Sequence, residues 1–477
     1  MKICIATNSG FQVRYILQTQ IIKRLLSQNI DITIISFPAE ADFIREITNH
    51  KIEVITEPKR PKKNIIEKYL EYMRFFTRAK YNSTSVEIFK RMHMLGTSPL
   101  RRLGVKLLYV ISKALKYSFL LRKFVIYIEK KVTNYKDYRV LLKKINPDLL
   151  VLSSHGAFGF DRYVAYAAKD EKVKIATIIL SWDNITSQTY PAYFADYVVA
   201  WTELMKKDII NLIDYNADQI IVGGSAYFDN YYNKLNLPNK VDFFQRNNLD
   251  LNKKLIFFAT RSPNTYPWHP NIAKTIAEAL KNNKGLSGCQ LLIRPHPIHF
   301  RKDENGNMIF QEVLNQYDMI ARQYDNVVIN LPDVYQNSNA FLMKPEDATI
   351  LRDLLSYSDV MVNIFSTMNI EAAILNIPTI NVCYEYNEPM YKFKLDNPRF
   401  NIFSDAKETH NQRIVDSGGV AISYNEMQLI DQLIGYIKDP AIDERGRTLI
   451  SDREVGPHRG NAGNTIADII IGYANSN

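Results

Sequence analysis

The sequence predicts an α/β protein of two doubly wound, parallel-sheet domains, the first interrupted by a basic helical insertion. Three observations predict it. Short apolar runs alternate with segments of helical spacing from Lys2 to Gly223, and a second alternation starts at Lys254. Between them, Asn233 to Lys254 is rich in Asn, Asp and Lys around Pro238 and reads as a linker. From about residue 60 to 145 the first alternation stops and helical spacing takes over. With 477 residues the chain is long enough for two domains that each bury a core, placed at 1–240 and 241–455, with 456–477 as a final, mostly helical segment.

In the first domain, Lys2 to Thr7 and Ile30 to Ser36 read as strands flanking a helix from about Arg14 to Gln28. The turn Asn8-Ser9-Gly10 between strand and helix offers Ser9 and Gly10 to an acceptor. After the insertion, Asp148 to Ser153 restores a strand and runs into Ser154-His155-Gly156-Ala157-Phe158-Gly159. Glycines let backbone approach a ligand and imidazole titrates near neutrality, so His155 is the first candidate for a base that deprotonates an acceptor hydroxyl. The same residue also fits a loop histidine bonded only to backbone. Asp161 is the next candidate. Lys174 to Leu180 leads into Ser181-Trp182-Asp183-Asn184, where Trp182 and Asp183 offer a sugar an apolar face and an acceptor oxygen. Trp182 packed in the core with Asp183 capping the next turn fits equally. Strands at Tyr197 to Trp201 and Gln219 to Gly223 complete the domain.

The second domain is expected to have strands near 255, 290, 327, 360, 379 and 420. Three of these end in polar loops. Leu255 to Ala259 gives way to Thr260-Arg261-Ser262-Pro263, and Cys289 to Ile293 to Arg294-Pro295-His296-Pro297. Val360 to Ile364 stops at Ser366-Thr367, followed by a short helix from Met368 and a strand around Pro378. Hydroxyls beside unpaired backbone N–H groups, a guanidinium fork and an imidazole donor suit an anionic phosphate. Glu371, about a turn later, reads either as a ligand to a ribose hydroxyl or as a solvated first-turn acid. In open parallel sheets ligands bind beyond the carboxyl ends of strands, so the three loops are expected to face one crevice.

The order of Arg261, RPHP at 294–297 and FSTMNIEAAILNIPTI at 365–380 resembles the donor half of the two-domain, metal-independent GT-B glycosyltransferases. Within that group it is similar to bacterial transferases that use CMP-activated sialic acid or Kdo, and to CDP-glycerol glycerophosphotransferases. The resemblance runs from about residue 175 to the end and is clearest over roughly the last 220 residues. It implies two Rossmann-like domains facing a cleft, and a last helix that crosses back onto the first domain. It further implies donor phosphate held by His296, Ser366 and Thr367, with Glu371 as the carboxylate before Ala-Ala. The SWDN run is similar to a segment of surface-carbohydrate transferases. One departure is the glutamate pair of many retaining members: eight residues after Glu371 stands Thr379.

Composition narrows the partners. The formal charge is +10, but Lys59 to Lys144 holds 23 Lys/Arg against five Asp/Glu, so that segment carries +18 and the remainder −8. Leu100 to Val132 interleaves Lys/Arg with Leu, Ile, Tyr and Phe at helical spacing, which suits an anionic membrane surface. Packing on its own domain is the plainer reading, and nothing resembling an RNA-binding aromatic sheet or zinc module favours nucleic acid. No apolar run reaches about 18 residues and the first residues read as a strand, so a cytoplasmic protein, peripheral on the inner membrane face, is expected. Cys4, Cys289 and Cys383 lack metal or disulfide spacing. No Asp-X-Asp occurs, so no metal or other cofactor is expected; Ser262 is a further donor-binding candidate, and Arg261, Arg294, His296 and the helix start at Ser366 are expected to meet the leaving group's charge. The sequence thus predicts a glycosyltransferase moving a sugar from a nucleotide-activated donor to a surface glycan or lipid-linked acceptor. A CDP-glycerol-type transferase, a UDP-sugar 2-epimerase and a non-catalytic glycan- or lipid-binding protein are the alternatives.

Overall fold

The computed structural model describes residues 1–476 except 82, 88–89, 91–97, 158, 233–236, 336–341 and 392–400. They group into two compact units, Met1–Asp229 with Glu454–Asn477, and Asn230–Arg453. Of the expected linker, residues 233–236 lie outside the description, and a short helix, Lys240–Arg246, follows Asn239, whose side chain caps it.

The first unit holds a sheet of β1 (Lys2–Ala6), β2 (Asp31–Ser36), β3 (Glu53–Thr56), β4 (Leu149–Leu152), β5 (Lys174–Ile178), β6 (Tyr197–Ala200) and β7 (Ile220–Val222). The order is β3-β2-β1-β4-β5-β6-β7, and every pair is parallel. Helices cover both faces, so Ile3, Cys4 and Ile5 are all buried and the strand reads as a continuous apolar run. The edge strand β3 was not expected: four residues, the outer two exposed and the inner two half-buried, with one neighbour carry little apolar signal. The helix expected from Arg14 to Gln28 is divided. A π turn, Val13–Leu17, ends at Thr19, whose hydroxyl donates to the Tyr15 carbonyl and accepts from Ile21 N–H, starting a new helix at Gln20.

The insertion is likewise several helices, among them Ile65–Phe76, Pro99–Leu115, Phe119–Val132 and Lys136–Ile145. Ser118 breaks the expected Leu100 to Val132 helix by capping Leu121 N–H. Buried ion pairs hold the insertion to the sheet domain. Arg74 grips Glu129 through two bonds of 2.6 and 3.1 Å and donates to the Tyr190 carbonyl. Arg162, on the helix after β4, reaches Glu129 at 3.2 Å and Glu67 at 2.6 Å. Arg122 pairs with Asp214 at 2.6 Å. The last helix, Ala462–Asn475, packs on Gln20–Ser27, its first N–H groups held by the Asp229 carboxylate at 2.9 and 2.7 Å.

The second unit holds β8 (Lys254–Ala259), β9 (Cys289–Arg294), β10 (Val327–Ile329), β11 (Val360–Asn363), β12 (Thr379–Val382) and β13 (Ala421–Ser423). All are parallel, in the order β10-β9-β8-β11-β12-β13. Ile256, Phe258, Leu291, Ile293, Val360 and Val362 form its core with Ile272 and Ile276 of helix His269–Asn282. Full burial of each such side chain stabilises by about 1.5–3 kcal/mol. Cys4, Cys289 and Cys383 are buried free thiols, each pushed up by desolvation. Among the described residues no helix is long and apolar enough to cross a membrane.

Candidate functional site

Strand order reverses between β8 and β11 in the second unit and between β1 and β4 in the first, the positions beyond whose strand ends open parallel sheets bind ligands. In the second unit the three polar loops leave β9, β8 and β11, which are adjacent. The first two are stitched together: His296 N–H donates to Thr260 Oγ1 at 2.9 Å, and Thr260 N–H to the Arg294 carbonyl at 3.1 Å. His296 Nδ1 accepts from Ile298 N–H at 3.1 Å. The side chain is exposed. Arg261 is half-buried and paired with Asp405, and Ser262 is half-buried beside it. Arg294 points elsewhere. Its guanidinium is buried against Asp347 at 2.5 Å and against Asn330, so it braces the loop.

Ser366 Oγ accepts from Met368 N–H at 3.3 Å, and Ser366 and Thr367 are both half-buried. The turn before them rests on Phe365, a buried residue at φ 28°, in the left-handed region that side chains disfavour. A buried amide cluster over-determines it. Phe365 N–H donates to Asn381 Oδ1 at 3.0 Å, Asn369 Nδ2 to the same atom at 3.2 Å, and Asn363 Nδ2 to Asn369 Oδ1 at 3.2 Å. These asparagines were not singled out from sequence, although Asn is unusual inside an apolar strand pattern and that was the available signal. Glu371 lies in the first turn as expected, but fully buried and accepting from the Tyr231 hydroxyl rather than solvated.

In the first unit Asn8, also not singled out, joins the loops after β1 and β4. Its amide donates to Asp161, and its Oδ1 accepts from Phe160 N–H at 2.8 Å. Gly159 packs on it at φ 54°, where a Cβ would meet Asn8 at 2.1 Å. Ser9 and Gly10 are half-buried at this junction, and Phe158 lies outside the described residues. Asp161 also takes Ser154 N–H at 3.1 Å and Ser154 Oγ at 2.7 Å. Burial pushes its carboxyl up to about 7. His155 is buried, its Nδ1 3.2 Å from the Tyr215 hydroxyl, and desolvation pushes it down to about 3, which leaves a neutral ring at physiological pH. Trp182 is buried. Asp183 is half-buried, with the Ser181 hydroxyl on one oxygen and the Ser187 hydroxyl on the other at 3.1 Å.

Beside the loop after β4 lies a cavity of about 170 Å³, lined by Gly156, Gly159, Arg162 and Tyr163 and, from the insertion, Arg60, Lys63 and Glu71. The cations there are already held: Arg60 by Glu57, Lys63 by Glu71 at 2.7 Å, Arg162 by Glu67. Fixed donors alternating with carboxylate and a tyrosine suit a polyhydroxylated ligand better than a free anion. Among the described residues no group of three or more His, Cys, Asp or Glu could hold a metal ion.

Two parallel Rossmann-like units with these strand orders define the GT-B fold. Solved structures of that fold match over nearly the whole chain. Staphylococcus aureus MnaA, solved with UDP, is 11% identical at a TM-score of 0.54, covering 98% of this chain and 94% of its own. The UDP-GlcNAc 2-epimerase of Neisseria meningitidis, bound to UDP-GlcNAc, is 13% identical at 0.54, covering 99% of each chain. A glycosyltransferase from Rickettsia africae ESF-5 is 12% identical at 0.51, covering 100% and 99%. Residues 217–434 match the model of a family described as a protein of unknown function, DUF354. No curated protein matches the sequence.

Proposed function

We propose that the protein is a sugar-nucleotide enzyme, a glycosyltransferase that moves a sugar from a nucleotide-activated donor to a surface glycan or lipid-linked acceptor. One observation carries this reading. Three adjacent strands at the reversal of the second sheet end in loops that carry the exposed His296 imidazole, the Arg261 guanidinium and the hydroxyls of Ser262, Ser366 and Thr367. Fixed donors of this kind stabilise charge growing on a leaving nucleotide, and we assign them that role in place of a metal because the sequence has no Asp-X-Asp. Arg294 braces the His296 loop, and Glu371, buried against the Tyr231 hydroxyl, supports the helix after Ser366 and Thr367. On the acceptor side we assign Ser9, Gly10 and the cavity beside Gly156 to the acceptor sugar. Asp183 takes its proton, since it alone of the three candidate bases reaches the surface. His155, Asp161 and Trp182 then support the loops around it. We place the reaction on the cytoplasmic side of a membrane.

A UDP-sugar 2-epimerase is the second reading, favoured by the fold shared with the UDP-GlcNAc 2-epimerase solved with UDP-GlcNAc. A thermal-shift screen against UDP, CDP, CMP, GDP and UDP-GlcNAc, followed by product analysis, separates the readings. A stabilising nucleotide identifies the donor base, and a CDP response without a sugar preference would indicate a glycerol-phosphate donor. UDP-GlcNAc converted to its epimer in the absence of acceptor would overturn the transferase. Binding without turnover over a range of acceptors would indicate a binding protein. His296→Ala is expected to weaken nucleotide binding on the order of tenfold, the scale of one hydrogen bond to a charged group. Unchanged affinity in the folded variant removes His296 from the donor site.

A further inference from the structure

We infer that two helices of the insertion form a surface that adsorbs to an anionic lipid bilayer. Helix Pro99–Leu115 packs inward through Val105, Tyr109, Ser112 and Leu115. At about 100° per residue, its opposite side carries Leu100, Leu103, Leu107 and Val110. These are 82%, 65%, 60% and 62% exposed. The helix thus turns three of its five leucines to solvent in addition to its packed apolar face, unlike an ordinary surface helix, and Arg102, Lys106 and Lys113 border the stripe. Helix Phe119–Val132 repeats the arrangement, with Arg122 and Glu129 inward, Leu120, Phe124 and Tyr127 outward, and exposed Lys123 and Lys131 alongside. Tyr117, in the turn between them, is 88% exposed.

Charge selects the occupant. Arg74, Arg78 and Arg122 are buried, while Arg101, Arg102, Lys106, Lys113, Lys123 and Lys131 on the two helices are exposed, with no exposed carboxylate on either helix to offset them. A second copy of the same face would bring equal positive charge against it, and a nucleic acid would leave the leucines uncovered. An anionic bilayer takes both, basic groups at the headgroups and Leu, Phe and Tyr below them. The inference deepens the proposed function by locating the face that would meet a lipid-linked acceptor. The surface itself is read from exposure and charge, and its test needs no turnover, so the two readings fail separately.

The test is flotation of the full chain with vesicles of phosphatidylcholine alone or mixed with phosphatidylglycerol, at low and high salt. Binding is expected only to the anionic vesicles at low salt, and high salt should weaken it. Changing Arg102, Lys106, Lys113, Lys123 and Lys131 to Gln should lower partitioning about 100-fold or more. A second variant with Leu103, Leu107, Leu120 and Phe124 changed to Ser should also float less. All nine positions are exposed, so both variants should melt like the parent. No flotation of the parent at low salt, or unchanged flotation of the Gln variant, overturns the inference. So does a dimer that the Ser variant dissolves in a parent that ignores vesicles, which would identify a second copy as the occupant.

Discussion

At the scale of single residues, the three candidate bases of the first unit differ by environment. His155 is neutral because desolvation, with no carboxylate beside it, leaves the imidazolium without support. Asp183 keeps two hydroxyl donors and reaches the surface. Asp183→Asn is expected to lower kcat by about two orders of magnitude or more, the usual scale of a lost general base. His155→Ala should lower kcat much less and show its effect in the melting temperature. The reverse ranking would restore the imidazole as the base. Asp161 sets a pH dependence. Its carboxyl is raised from 3.8 to about 7, so the fold binds its proton more tightly than the unfolded chain does. The stability from this group is fully present below about pH 4 and is lost as pH rises through about 7. Denaturation midpoints across that window should fall less steeply in Asp161→Asn than in the parent, although Glu40, raised to about 8 by burial, keeps part of the slope.

At the scale of elements, the ion pairs beneath the insertion are its weakest point for substitution. Glu129 is completely buried between Arg74 and Arg162, and removing it leaves two guanidinium groups without their shared carboxylate. Glu129→Ala is expected to destabilise by roughly 3–5 kcal/mol, the range for breaking a buried pair. Chemical denaturation reads this directly, and a change under about 1 kcal/mol would mean that solvent reaches the pair. None of this was legible beforehand, because a Glu far in sequence from its arginines carries no local sign of its partners. The strands were legible wherever helices cover both faces, since Ile3 to Ile5 or Leu291 to Ile293 then read as unbroken apolar runs. Edge strand β3 and the breaks at Thr19 and Ser118 were not, because each depends on one hydroxyl or one half-exposed strand. The polar strand ends at 261, 296 and 366 were visible as local composition. Their bracing was not: Asn330, Asp347, Asn381 and Tyr231 come from distant parts of the chain.

At the scale of the whole molecule, the fold class was legible because period and strand spacing repeat in both units, and whole-chain similarity to solved GT-B structures agrees with it. Strand order supplies the two reversal points at which the general rule for open parallel sheets puts a ligand. The first unit is discontinuous in sequence, since its last helix arrives only after residues 230–453 have formed the second. A chain ending at residue 453 should lose the packing on Gln20–Ser27, and limited proteolysis should cut that helix in the truncated chain but not in the parent. Equal resistance would show that the helix is an ornament of the unit. During synthesis the consequence is one of timing. The amino-terminal half leaves the ribosome with the flank of Gln20–Ser27 that carries Gln20 and Arg24 uncovered, and it must stay unaggregated until Ala462–Asn475 emerges to cover it.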